Sequence, residues 1–139
     1  MRDSVGLALA QQIVDAAVLD AGRLQARISV AVADGAGSLL AFARMDGATR
    51  LSARTAMDKT RSVVLTGTAT LDWGENLRRD LAGEPELFHG MIARGDLVPF
   101  GGGVPLLIDG ELAGAVAVSG ATSSQDHEIA TRAAAAATA

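Results

Sequence analysis

The 139-residue sequence has a single lysine among its twelve basic residues, and that lysine is a candidate for chemistry. Lys59 shares one side of a predicted helix with Ser52, Ala56 and Val63, at spacings of three or four residues. A lysine among small and apolar side chains is expected to be partly buried, which lowers its pKa. Such an amine can act as a base, form an imine or bind an anionic substrate. Snorkelling to solvent or pairing with a carboxylate is the structural alternative.

A second set of polar residues lies in the segment FARMDGA, where a predicted strand passes into a loop. Strand ends and loops are a usual place for binding groups. Arg44 is suited to holding a carboxylate, and Asp46 to proton transfer. An ion pair between Arg44 and Asp46 would instead give both residues a structural role.

The glycine run Gly101, Gly102 and Gly103 does not match either common phosphate-binding pattern. A P-loop has a lysine followed by serine or threonine after its last glycine, whereas valine and proline follow here. The dinucleotide fingerprint has a glycine where Leu106 stands, and both patterns lead directly into a helix. A strand is predicted here, which argues against a nucleotide site. The run is either a turn or bulge at the start of this strand, or a place where backbone contacts another ligand.

Other candidate groups carry weaker signals. Ser119 ends the last predicted strand, before a helix start that could receive an anion, but no His–carboxylate pair accompanies it. His89 lies on a short helix beside Phe88, and His127 lies in the first turn of the last helix. We expect His89 to be a surface or packing residue and His127 to be exposed. Neither has a carboxylate at metal-ligand spacing and the chain has no cysteine, so no metal site is predicted.

The elements that position these residues follow the order α-β-β-α-α-α-β-β-α. Strands are predicted over 28–34, 38–44, 104–108 and 111–119, and helices over about 4–21, 49–65, 71–82, 85–93 and from 123 or 124 onwards. Asp109-Gly110 is a strong hairpin signal. At the start of the last helix, Ser123-x-x-Asp126 fits the looser form of a capping box. Hairpins separated by helices predict an α+β fold with an antiparallel sheet. The segment between the hairpins is expected to be anchored by five apolar residues, namely Trp73, Leu77, Leu87, Phe88 and Met91.

Composition sets the broad class of the protein. With 49% hydrophobic and 20% charged residues, the chain is predicted to be one globular domain over 1–139. A net charge of −4 without a basic tract argues against a nucleic-acid partner. The N-terminal segment is typical of an amphipathic helix and not of a signal peptide, and no apolar run reaches the roughly 18–20 residues of a membrane span. We therefore expect a cytoplasmic protein with no membrane partner.

Three segments, FARMDGA, FGGGVPL and GAVAVSGATSSQDHEIA, together resemble the GlcG/HbpS family. This family includes glycolate-operon GlcG proteins, the haem-binding HbpS protein and the C-terminal domain of PduO-type proteins. The resemblance runs from the first helix to about Ala134. The residues that match the family's motifs are Arg44, Met45, Asp46 and Gly47 in its turn, Lys59 on its helix, Gly101, Gly102, Gly103 and Pro105 in its glycine-rich loop, and Ser119, Gly120 and Asp126 near its last helix.

This resemblance implies a profilin-like, three-layer α+β domain, with a central antiparallel sheet flanked by helices. It also implies homo-oligomers, and the binding of haem or another tetrapyrrole by some members. Haem ligation is not uniform in the family, and the first helix here contains no histidine. His89 is therefore the candidate axial ligand, and the cofactor is either haem or none.

Three functions follow from these features. The first is a small-molecule-binding protein that holds haem, another tetrapyrrole or a metabolite near the glycine run, through Arg44, Lys59, Gly101, Gly102, Gly103 and Ser119. The second is a small cofactor-free enzyme acting on an oxo acid, lactone or related carbonyl compound. In that enzyme Lys59 and Asp46 are catalytic, Arg44 clamps a carboxylate, and the amides of Gly102 and Gly103 stabilise an oxyanion. The third is an assembly protein with no ligand.

Overall fold

A computed structural model describes residues 4–138 and has the predicted order of elements. The helices are α1 (Leu7–Arg23), α2 (Arg50–Thr66), α3 (Thr70–Asp80), α4 (Pro85–Ala93) and α5 (Ser123–Thr138). The strands are β1 (Ser29–Asp34), β2 (Leu39–Arg44), β3 (Gly103–Ile108) and β4 (Glu111–Ser119). Most predicted ends are correct to within two or three residues, and the bounds of β4 match those predicted.

The four strands form one antiparallel sheet in the order β2-β1-β4-β3. Both hairpins pair internally, and β1 pairs with β4 to join them, with Ser29 opposite Ser119. The β3–β4 turn has positive φ at both central residues, 52° at Asp109 and 79° at Gly110. Two positive φ angles are the mark of a type I′ turn, so the Asp-Gly signal correctly predicted this hairpin.

Side chains on the two faces of the sheet differ in size. Val30, Val32, Val116 and Val118 belong to the main hydrophobic cluster, which also contains residues of α1 and α5. Since side chains alternate along a strand, the intervening positions of β1 and β4 face the other way. Those positions are small residues, and α2 packs against these two strands. The sheet is therefore covered by helices on both faces, and the predicted three-layer α+β arrangement is confirmed.

The last helix begins with a different cap from the one predicted. The sequence suggested a box between Ser123 and Asp126, whereas the capping box joins Thr122 and Gln125. The Thr122 hydroxyl accepts from the Gln125 amide at 3.2 Å, and the Gln125 side chain accepts from the Thr122 amide at 3.2 Å. This frees the side chains of Ser123 and Asp126 for contacts outside the helix.

The region between the hairpins is less buried than predicted. Of its five expected anchors only Leu77 is buried, and α4 has no buried residue, with Leu87 47% exposed. The apolar composition of α4 suggested a buried helix, whereas the helix is largely exposed. Among residues 4–138, no helix is long and apolar enough to cross a bilayer.

Candidate functional site

Lys59 is 1% exposed, which makes it one of the most buried large side chains among the described residues. Its ammonium donates to the Val118 carbonyl at 2.8 Å and to Asp126 Oδ2 at 3.3 Å. The ring of Phe100 covers it, with Nζ 5.3 Å from the ring centroid. The burial predicted from the helix pattern is confirmed, together with the alternative of a carboxylate partner. Two of the three ammonium protons are thus used in hydrogen bonds, and the Phe100 ring lies over the charge.

The glycine run packs against Lys59 and bonds to neighbouring elements. The Gly101 amide donates to Ser123 Oγ at 2.7 Å, and the Gly103 amide donates to Thr70 Oγ1 at 3.0 Å. The Gly102 carbonyl accepts from the Val118 amide at 2.9 Å. The run thus ties β4 to the starts of α3 and α5. Because Thr70 takes the Gly103 amide, the predicted oxyanion pair is not available in this conformation.

Glycine is required at position 102 by both conformation and space. Its φ is +133°, a region that other residues rarely adopt. An added Cβ would lie against the Val118 carbonyl oxygen and only 3.0 Å from Lys59 Cδ. The side chain that this backbone approaches is therefore Lys59 of the same chain, which favours a structural role for the glycine run.

Burial shifts the pKa values of the Lys59–Asp126 pair in opposite directions. Loss of hydration lowers the pKa of Lys59, and the attraction of Asp126 only partly offsets this. Burial likewise raises the pKa of Asp126, against the attraction of Lys59 and a hydrogen bond from the Ala121 amide to Asp126 Oδ1 at 3.0 Å. Each charge thus stabilises the other at a buried position where the charged form of either group alone would be unfavourable.

The raised pKa of Asp126 predicts a pH dependence of stability. The ordinary pKa of an aspartic acid is 3.8. Just above that pH, Asp126 keeps its proton in the folded protein and loses it in the unfolded chain. This stabilisation is fully present below pH 3.8 and is lost as the pH rises through the folded pKa. The free energy of unfolding of the wild type, minus that of Asp126→Asn, is therefore expected to fall with pH across this interval. Urea denaturation at several pH values measures it, and a difference that rises with pH would contradict the expectation.

Arg44 and Asp46 lie at a separate cleft of about 920 Å³, which we call the arginine cleft. It is formed by the end of α1, the chain leading into β1 and the turn after β2. Its lining residues are Val18, Gly22, Gln25, Ala26, Arg27, Ala43, Arg44, Met45, Asp46 and Gly47. Lys59 and the glycine run do not line it. The structure thus separates two groups of residues that both the binding hypothesis and the enzyme hypothesis placed in one site.

Arg27 also lines the arginine cleft, although its type and position in the sequence did not single it out. Its side chain lies across Gly47, where an added Cβ would stand 2.8 Å from Arg27 Cδ. Within the described part of the chain, Arg27, Arg44 and Asp46 are exposed and form no ion pair. The structural alternative of an Arg44–Asp46 pair is therefore wrong. Only the hairpin register could have shown that Arg27 and the turn after β2 meet.

The remaining candidates lie apart from this cleft. His89 is exposed on α4, packs edge-on against Phe88 at 5.7 Å between ring centroids, and lines a groove of about 270 Å³. Ser119 is 7% exposed at the end of β4. His127 is half-buried and its Nδ1 has no hydrogen-bond partner among the described residues, contrary to the exposed position predicted. No cluster of three metal-ligating side chains occurs in residues 4–138.

Comparisons with known proteins place this geometry in a family. The sequence model for the family described as "Haem degrading protein HbpS-like" matches residues 5–135. Protein GlcG of Escherichia coli strain K12 is 35% identical over 120 residues, which cover 80% of this chain and 81% of GlcG.

Two solved structures give the same result for the fold. Klebsiella pneumoniae protein ORFY superposes with a TM-score of 0.90 at 27% identity, over 100% of this chain and 94% of ORFY. The PduOC:heme complex superposes with a TM-score of 0.84 at 32% identity, over 96% of this chain and 94% of PduOC. The resemblance seen in the three sequence segments is thereby confirmed, and the chain belongs to the HbpS-like family.

Proposed function

We propose that this protein binds haem or a related tetrapyrrole. The observation that carries the proposal is the similarity to PduOC, which was solved as a complex with heme and aligns over nearly all of both chains. The description of the family as HbpS-like haem-degrading proteins supports the same ligand class.

The arginine cleft is the part of the structure that best suits such a ligand. Its volume of about 920 Å³ lies within the range of roughly 300–1,000 Å³ typical of ligand pockets. Val18, Ala26, Ala43 and Met45 supply apolar surface for a macrocycle. The guanidinium groups give the cleft a positive charge where carboxylates could bind. This location differs from the glycine run, where Lys59 and its partners fill the space.

The residues of the cleft fit the porphyrin better than they fit its iron. Among the described residues that line the cleft there is no histidine, and Met45 is the one whose thioether is a possible iron ligand. The Met45 sulfur already accepts from the Ile28 amide at 3.5 Å. Apolar contact and charge would therefore hold the ligand, and metal-free protoporphyrin is expected to bind about as tightly as haemin.

Titration of the purified protein with haemin tests the proposal. We expect a saturable shift of the Soret band, and a loss of affinity of about tenfold or more in Val18→Asp because a carboxylate would enter the apolar wall. The matched control is Leu19→Asp, the next residue of α1, which is 59% exposed and does not line the cleft. Absence of any Soret shift in the wild type would refute haem binding.

His89→Ala provides a second control for the location of the ligand. Because His89 lines a different groove, the Soret spectrum of this variant is expected to match that of the wild type. If the Soret band is lost or altered only in His89→Ala, the haem binds beside α4 and not in the arginine cleft.

Homo-oligomerisation and a cytoplasmic location remain predictions.

A further inference from the structure

We propose that Arg27 and Arg44 form a carboxylate clamp, so that the arginine cleft selects apolar molecules carrying carboxylate groups. For a tetrapyrrole, these groups are the propionates, and this application rests on the proposed function. The clamp itself follows from charges and positions in this chain, so it extends to other apolar dicarboxylates.

The β1–β2 hairpin brings the two arginines to one place. Arg44 is paired with Ser29 at the end of the two strands. The register continues one step further, because the Met45 amide donates to the Ile28 carbonyl at 2.9 Å. Arg27, the residue before Ile28, therefore lies beside the turn that follows Arg44. Both side chains line the same cleft.

Gly47 holds Arg27 at the rim of this cleft. With φ at +85°, it turns the chain after Asp46 in a way that other residues rarely permit. The Arg27 guanidinium lies over the surface that a Cβ would occupy. Because residue 47 has no side chain, the Arg27 side chain can lie over the turn that follows Arg44.

The charges of the clamp are available for a ligand. Within the described residues neither guanidinium forms an ion pair or a side-chain hydrogen bond, whereas Arg79, Arg94 and Arg132 each bind a carboxylate. Among the described residues that line the cleft, Asp46 is the one acidic side chain, against two arginines. The cleft therefore has an excess of positive charge, and guanidinium groups bind carboxylates through paired, charge-assisted hydrogen bonds.

Haemin and its dimethyl ester distinguish the clamp from apolar binding alone. We expect the wild type to bind haemin about tenfold more tightly than the ester. Arg27→Ala and Arg44→Ala should each remove most of this preference by weakening haemin binding, with little effect on the ester. The control is Arg23→Ala, an exposed arginine that ends α1 and does not line the cleft. If both clamp variants keep the wild-type preference, the clamp is refuted while haem binding stands.

A probe that is not a tetrapyrrole separates the clamp from the proposed function. In titrations with 2,6-naphthalenedicarboxylate followed by NMR, we expect shifts of the Val18 and Ala43 methyl signals that disappear in Arg27→Ala and Arg44→Ala. Such shifts without haemin binding would support the clamp and reject the tetrapyrrole proposal. If neither compound binds the wild type, both proposals are rejected. Folding of every variant is checked by its wild-type NMR dispersion outside the cleft.

Discussion

Replacement of Lys59 by methionine is expected to lower the free energy of unfolding by about 3–5 kcal/mol at pH 8, the effect of removing one partner of a buried ion pair. Methionine matches the length of the lysine stem, so the change removes the charge and leaves most of the volume. Asp126, whose side chain is 4% exposed, would then be a buried carboxylate without its cation. The Val118 carbonyl would also lose a donor. Urea denaturation measures the loss.

The double variant Lys59→Met/Asp126→Asn distinguishes charge from packing. Asparagine keeps an oxygen for the Ala121 amide but carries no charge, so the double variant should be more stable than Lys59→Met alone. The control is Arg61→Ala on the same helix, where an exposed pair with Asp58 at 3.4 Å is expected to contribute no more than about 1 kcal/mol. A loss below about 1 kcal/mol for Lys59→Met would contradict the structural role assigned to the pair.

Gly102→Ala is expected to lower the free energy of unfolding by about 2–4 kcal/mol, because backbone strain and overpacking add at this position. The strain comes from φ at +133°, and the overpacking from contact of the new methyl group with the Val118 carbonyl and the Lys59 side chain. Val118 lies in β4 and is paired with Val30 of β1, which leaves its carbonyl little room to move. Chemical denaturation of the variant measures the change.

Gly90→Ala is the matched control for this substitution. Gly90 lies inside α4, and an added Cβ would meet nothing within 4 Å. Alanine has the higher helix propensity, so this variant should gain up to about 1 kcal/mol. Equal stability of Gly102→Ala and the wild type would show that the glycine run is not packed as described.

The order of elements and the sheet could be predicted because local patterns specify them. The alternation of β4, the Asp109-Gly110 turn and the i, i+4 face of α2 each act over a few residues. The exposure of α4 could not be predicted, since an apolar helix shows the same composition whether a core covers it or not. The capping box also needed the structure, because two overlapping four-residue patterns competed at the start of α5.

The candidate site was predicted less completely, because it depends on contacts between distant residues. The sequence singled out Lys59 and Arg44 by type and position. It could not show that Asp126, 67 residues away, neutralises Lys59, or that Arg27 and Arg44 line the same cleft. The grouping of Lys59, Arg44 and the glycine run in one pocket was an inference from shared motifs, and the structure places Arg44 at a different cleft.

The most direct test of the proposed function is a crystal structure of the protein grown with haemin. We predict electron density for the macrocycle in the arginine cleft, against Val18 and Met45, with its propionates at Arg27 and Arg44. Density at the glycine run or beside His89, with the arginine cleft empty, would contradict this account.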